Sequence, residues 1–217
     1  GEKRNPSPAT LFDWAHEDKP PEVNTSQGIF YWLRWGIYAT FNMTDLPGGA
    51  SCQDFHTPPY LNSAVSSFFT AEPCTTFALV REPLDRLISA YRFLVPGTCS
   101  AAAFSDWAKE MLPSLQDKPY QLNCFLVPQI EFVRSPRDPH GLKYVDRVLK
   151  QENFTAEVNA LMSAFGKPLR VDAKESHHLF STSDCHIDAD DVPHEIKGLV
   201  YKVYREDYEA FGYPPPA

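Results

Sequence analysis

The sequence predicts an α/β domain, on three observations. A short apolar run, Phe77-Ala78-Leu79-Val80, passes through a polar turn into an amphipathic stretch that ends near Leu94. Three later stretches, beginning near Ala101, Asn153 and Pro193, repeat apolar residues at helical spacing. The chain has 217 residues, 43% of them hydrophobic, which suffices for one sizeable core. No repeat and no long linker divides it, so residues 1–217 read as one domain.

Taken in order, Thr10 to His16 reads as a first strand and Asp18 to Ser26 as a polar loop. Gln27 to Phe41 reads as a helix, on the spacing of Ile29, Trp32, Leu33, Gly36 and Ile37, with Thr25 or Ser26 as its N-cap. Strand, loop and helix in that order let backbone N–H groups and a helix N-terminus cradle a phosphate or sulfate. After the loop Leu46 to Ala50, the segment Cys52 to Leu61 carries His56, and Asn62 to Thr70 reads as a short helix. Phe77 to Val80 is then a strand covered on both faces, with Arg81 at its end and Pro83 in the first turn of the next helix. Leu84, Leu87, Ile88 and Tyr91 make that helix's buried stripe and leave Asp85, Arg86, Ser89 and Arg92 on the other side. A guanidinium at Arg81 and a hydroxyl at Ser89 suit a phosphate, one as a charged fork and the other as a neutral donor.

Further on, Ala101 to Leu112 reads as a core helix with Phe104, Trp107, Ala108 and Met111 on one face, and Tyr144 to Leu149 as a strand. A helix follows from about Asn153 to a terminating Gly166, with Val158, Leu161, Met162 and Phe165 inward. The last helix, Pro193 to Phe211, packs through Ile196, Val200, Val203, Tyr204 and Phe211 and is assigned no chemistry.

The pattern Arg81-Glu82-Pro83, Arg86, Ser89-Ala90-Tyr91 resembles the 3′-phosphate-binding segment of PAPS-dependent sulfotransferases, closest to the carbohydrate enzymes of the uronosyl 2-O type. The resemblance implies a three-layer α/β/α domain with a mostly parallel central sheet, of the P-loop-like sulfotransferase kind. It implies PAPS as sulfate donor and PAP as product, with Arg81 and Ser89 on the 3′-phosphate. The family's loop for the 5′-phosphosulfate carries a lysine and small hydroxyl residues, which points to Lys19, Asn24, Thr25 and Ser26. That loop departs from the family pattern: it lacks glycine, and Pro20-Pro21 remove two backbone donors. Glycosylation at Asn24 would also block it.

A histidine in a comparable segment is the family's general base, which implies that role for His56. The choice suits an imidazole whose ordinary pKa, about 6.5, leaves it neutral at physiological pH. His16 at the end of the first strand is a second candidate, on the substrate side. Asn123, Pro128 and Gln129 match the family's N-x-x-x-x-P-Q segment, which implies that Gln129 faces the acceptor or the cofactor, with a buried amide closing a backbone turn as the equal alternative. The alternative is a non-catalytic PAP- or glycan-binding scaffold with a degenerate phosphosulfate loop.

Composition narrows the partners. Twenty-eight acidic against 20 basic residues give a net charge of −8, so nucleic acid is excluded as a natural partner. The resemblance implies a hydroxyl-bearing acceptor, a glycan or a small molecule. No G-x-x-x-x-G-K-[ST] sequence supports an NTP-hydrolysing P-loop, and the five cysteines lack a C-x-x-C pair, so no metal is expected. No apolar run is long enough to cross a bilayer. Sequons at Asn24, Asn42 and Asn153 point to the secretory pathway and the Golgi lumen, with the cytoplasm as the alternative.

Overall fold

A computed structural model describes residues 43–63, 66, 69, 75–136, 143–171 and 185–216 in full, and the backbone of 23–25, 28–32 and 38–40. The chain gathers into two compact units. The first runs up to Thr76 and takes in Lys118–Val127 and Glu131–Asp146, and the second comprises Phe77–Asp117, Pro128–Ile130 and Arg147 onward.

In the first unit, β1 (Val23–Thr25), β2 (Gly28–Trp32) and β3 (Tyr38–Thr40) form an antiparallel sheet in the order β1-β2-β3. Asn24 pairs with Ile29, and Tyr31 with Ala39. This overturns the helix expected over Gln27 to Phe41. Ile29-Phe30-Tyr31-Trp32 is a β-branched and aromatic run, a composition that favours strand where a short apolar stretch fits either period. Strand β4 (Met43–Asp45) pairs antiparallel with β5 (Ser51–Gln53), and the link between them turns at Gly48 and Gly49, whose φ values of 81° and 75° suit glycine. Cys52 is bonded to Cys124, closing a loop of 72 residues around a small core of Leu46, Cys52, Cys124 and Val127. The expected helix after Asn62 is represented by helical Ser63, Ser66 and Phe69, with the Ser66 N–H donating to the Asn62 carbonyl at 2.8 Å.

The second unit holds the parallel strands. Strand β6 (Phe77–Val80) runs parallel to β7 (Arg147–Lys150), with Phe77 opposite Arg147 and Val80 opposite Lys150. Among the described residues the pair has two strands, and β6 is not covered on both faces as its apolar run suggests: Val80 is 2% exposed, but Phe77 and Leu79 are 45% and 42% exposed. Helix α1 (Pro83–Leu94) buries Leu84, Leu87, Ile88 and Tyr91, the stripe that its spacing predicts.

Helix α2 (Ala101–Ser114) starts on a Ser100 cap, whose Oγ accepts the Ala103 N–H at 3.1 Å, and it buries Phe104, Ala108 and Leu112. The four-residue turn α3 (Ile130–Val133) precedes β7, and α4 (Phe154–Ala164) covers Leu149 with Val158, Leu161 and Met162. The closing helix α5 (His194–Phe211) packs against α1 and α2 and stops at Gly212, which is left-handed at φ 65°. Cys99 is bonded to Cys185 in this unit. The α/β class thus stands, with helices and a small parallel sheet together in the second unit.

Candidate functional site

The turn from β6 into α1 is built to hold Arg81 still and leave its side chain free. Its backbone is clamped from both sides by one amide: the Arg81 N–H donates to Gln129 Oε1, and Gln129 Nε2 donates to the Arg81 carbonyl, each at 2.9 Å. Gln129 is itself fixed, because its N–H donates to Asp207 Oδ2 at 2.9 Å and the next N–H, of Ile130, donates to Asp207 Oδ1 at 2.8 Å. Asp207 on α5 is 0% exposed, and burial pushes its carboxyl above the usual range against the pull of those two N–H groups.

Glu82 completes the frame. It caps α1, with Oε2 accepting the Asp85 N–H at 2.8 Å and Oε1 accepting the Tyr208 hydroxyl at 2.6 Å. Its own N–H donates to Glu152 Oε1 at 2.8 Å, and Glu152 Oε2 accepts the Tyr213 hydroxyl at 3.1 Å. Arg86 lies 5.8 Å above the ring of buried Tyr204. Both oxygens of Glu82 are therefore taken, and the N-terminus of α1 is closed by a carboxylate of the chain. An anion here must be held by side chains rather than by the helix end.

Arg81 and Ser89 are the two side chains expected to hold it. Among the described residues, the Arg81 guanidinium makes no ion pair, neither with Glu82 nor with Asp85. Ser89 is exposed, on the α1 stripe that also carries Asp85 and Arg86, and about 9 Å along the axis from the helix start. A free guanidinium on a rigid backbone together with a free hydroxyl fits a phosphate, which accepts both kinds of donor.

Gln129 takes the second of the two roles open to it, the buried amide that closes a backbone turn. Its amide is turned onto the Arg81 backbone and is 9% exposed. Asp207 and Tyr208, which organise this turn, escaped the sequence reading, although a carboxylate on the buried stripe of Ile196, Val200, Tyr204 and Phe211 was the available signal.

His56 belongs to the first unit, at the end of the short turn Asp54–His56. Phe55 and Phe125 flank its ring, at centroid distances of 4.1 and 4.4 Å, and its Nδ1 is 2.9 Å from Asn123 Nδ2. Burial lowers its pKa from the ordinary 6.5. The folded protein thus favours the neutral ring, and the stability that this contributes above pH 6.5 is lost as pH falls through the lower folded value. An NMR titration of the His56 ring should give a midpoint below 6.5, and a midpoint above it would contradict the burial seen here. Nearby, the Tyr60 hydroxyl donates to Glu131 Oε2 at 2.5 Å and sits 3.2 Å from the Tyr120 hydroxyl, with burial raising its pKa.

Lys19, His16 and Ser26 lie outside the described residues, as does the strand expected over Thr10 to His16. Asn24 and Thr25 are backbone positions of β1, in a strand that pairs with another strand. The helix N-terminus expected to follow them as an anion cradle is replaced by that pairing. Among the described residues no group of three or more His, Cys, Asp or Glu could hold a metal ion, and no helix is long and apolar enough to cross a membrane.

The sequence model of the sulfotransferase family matches residues 61–214, well over half of the chain and inclusive of Arg81, Ser89, Gln129 and Asp207. No curated protein and no solved structure matches it.

Proposed function

The chain belongs to the sulfotransferase family, and on that premise we propose that it moves a sulfuryl group from PAPS to an acceptor hydroxyl, most simply on a carbohydrate. The observation that carries the choice of donor is the Arg81 guanidinium, without an ion pair among the described residues, on its clamped turn. Arg81 and Ser89 would hold the 3′-phosphate, Gln129 and Asp207 would keep Arg81 in place, and His56 would take the proton of the acceptor hydroxyl. Lys19, with Asn24, Thr25 and Ser26, would grip the 5′-phosphosulfate by charge and side-chain donors, without help from a helix N-terminus. PAPS supplies an activated sulfuryl group on a phosphate leaving group. What remains for the chain is positioning and electrostatic stabilisation, by analogy with phosphoryl transfer. No metal is assigned to the reaction.

The 1–217 span reads as one catalytic domain of three layers, since the family match runs across both units. Secretory-pathway residence, in the Golgi lumen, is supported by two disulfides, which persist in oxidising compartments. It is also supported by Asn153, an exposed sequon asparagine whose side chain makes no cap bond at the start of α4. The second reading, a PAP- or glycan-binding scaffold without catalysis, is favoured by one observation: β1 and β2 stand where the phosphosulfate loop would lead into a helix.

Sulfate transfer from labelled PAPS to a panel of glycan and small-alcohol acceptors separates the two. In the enzyme, His56→Ala should lower transfer by about a hundredfold or more while PAP still binds, in keeping with general-base contributions of about 10²–10⁴. Unchanged turnover in that variant removes His56 from the reaction, and PAP binding without transfer to any acceptor favours the scaffold.

A further inference from the structure

We infer that Asn123 sets the tautomer of His56, leaving the ring's lone pair on Nδ1, so that Nδ1 is the atom that takes the acceptor's proton. The argument starts at Gln53, whose backbone N–H can only donate. It lies 2.6 Å from Asn123 Oδ1, which fixes that atom as the amide oxygen and turns the NH₂ group the other way. The two N–H bonds of that group are then accounted for, one to Gln53 Oε1 at 2.9 Å and one to His56 Nδ1 at 2.9 Å. Since Nδ1 accepts, the neutral ring holds its proton on Nε2.

The backbone beneath Asn123 is unusual in the way that fixed functional geometry often is. Leu122, Asn123 and Cys124 have φ values of 53°, 55° and 62°, three successive non-glycine residues in the left-handed region. Each costs about 1–2 kcal/mol against the ordinary helical conformation. The run is held by its neighbours: Cys124 is bonded to Cys52, and Asn123 is hydrogen-bonded to Gln53, the residue after Cys52. Phe55 and Phe125 pack against the ring at steep interplanar angles of 61° and 56°, which helps to hold its orientation. Asn123 is thus a positioning residue that holds the ring and covers its lone pair. The acceptor hydroxyl gains Nδ1 by taking over the ring's hydrogen bond from the Asn123 amide, which keeps its two bonds to Gln53. Its proton then moves to Nδ1 as its oxygen bonds to sulfur, the bond from sulfur to the bridging phosphate oxygen breaks, and the electron pair leaves with PAP.

The atom assignment rests on the reading of His56 as base, whereas the tautomer does not, and the test keeps the two apart. In histidine-¹⁵N-labelled protein near pH 8, long-range ¹H–¹⁵N spectra report which ring nitrogen carries the proton, with His56 identified by its loss in His56→Gln. The wild type should show the Nε2–H pattern. Asn123→Asp should convert it to Nδ1–H, because a carboxylate can accept from both Gln53 and the ring, and aspartate tolerates the left-handed backbone. A wild-type Nδ1–H pattern at His56 overturns the inference with no donor or acceptor present. In the transfer assay, Asn123→Asp should lower kcat at least tenfold with KM for PAPS unchanged. A raised kcat would make Nε2 the accepting atom, overturning the assignment of Nδ1 while leaving His56 as base.

Discussion

Replacing Arg81 by Ala should weaken PAP binding by about tenfold to a hundredfold and leave the stability of the protein within about 0.5 kcal/mol of wild type. The two halves of that expectation come from different parts of the residue. The backbone of Arg81 does the structural work, through its two bonds to Gln129, and alanine keeps both. The guanidinium makes no ion pair among the described residues, so its removal orphans no charge. What is lost is a charge-assisted contact to a phosphate, worth about 1.5–3 kcal/mol. Arg81→Lys should fall between, keeping the charge without the planar fork. Ser89→Ala should cost less, about 0.5–1.5 kcal/mol, for a neutral hydroxyl. Calorimetric titration with PAP and a thermal melt check both halves. A large fall in melting temperature would mean that the guanidinium serves the fold.

Asp207→Ala should act the opposite way, through the fold first and binding second. The variant leaves the N–H groups of Gln129 and Ile130 without an acceptor in a site where those residues are 9% and 6% exposed. Each buried, unsatisfied donor costs about 1–3 kcal/mol, and the vacated volume adds to it, so a loss of about 3–5 kcal/mol is expected. For a chain of this length that lowers the melting temperature by roughly 10 °C.

Asp207→Asn should be milder, because the amide oxygen still accepts one N–H while its NH₂ group faces the other. Burial raises the Asp207 carboxyl in the folded state, so its ionised form is the costly one, and that cost is relieved as pH falls through the raised value. Denaturation of the Ala variant at neutral pH settles the matter: a loss below about 1 kcal/mol would mean that the two N–H groups find other partners. PAP binding should weaken in the same variant, since Gln129 loses the anchor that lets it clamp Arg81.

The contrast between these two residues marks where sequence reading stops. The strand, turn and helix that carry Arg81 and Ser89 were legible because their pattern is local: strand end, proline at the helix start, and one polar stripe opposite Leu84, Leu87, Ile88 and Tyr91. Asp207 and Gln129 are 78 positions apart, and their bond depends on packing that periodicity does not encode. Gln129 was picked out by its motif, but the motif left its partner open, because an amide bonds equally well to a ligand or to a backbone. The helix read over Gln27 to Phe41 failed where the apolar run Ile29-Phe30-Tyr31-Trp32 is too short to distinguish the two periods, and the strand pairing decided it. Nothing in Leu122-Asn123-Cys124 announces a left-handed backbone, since that conformation is imposed by the bonds to Cys52 and Gln53. Five cysteines likewise do not disclose that Cys52 pairs with Cys124 and Cys99 with Cys185.

The central claim is that the Arg81 turn recognises the 3′-phosphate of the sulfate donor, and the most direct measurement compares two ligands that differ in that group alone. Titrating the wild-type protein, without magnesium, with PAP and with adenosine 5′-monophosphate should show PAP binding at least tenfold more tightly, with the preference abolished in Arg81→Ala. Equal affinity for the two nucleotides in the wild type, or a preference that survives the loss of Arg81, would contradict the account.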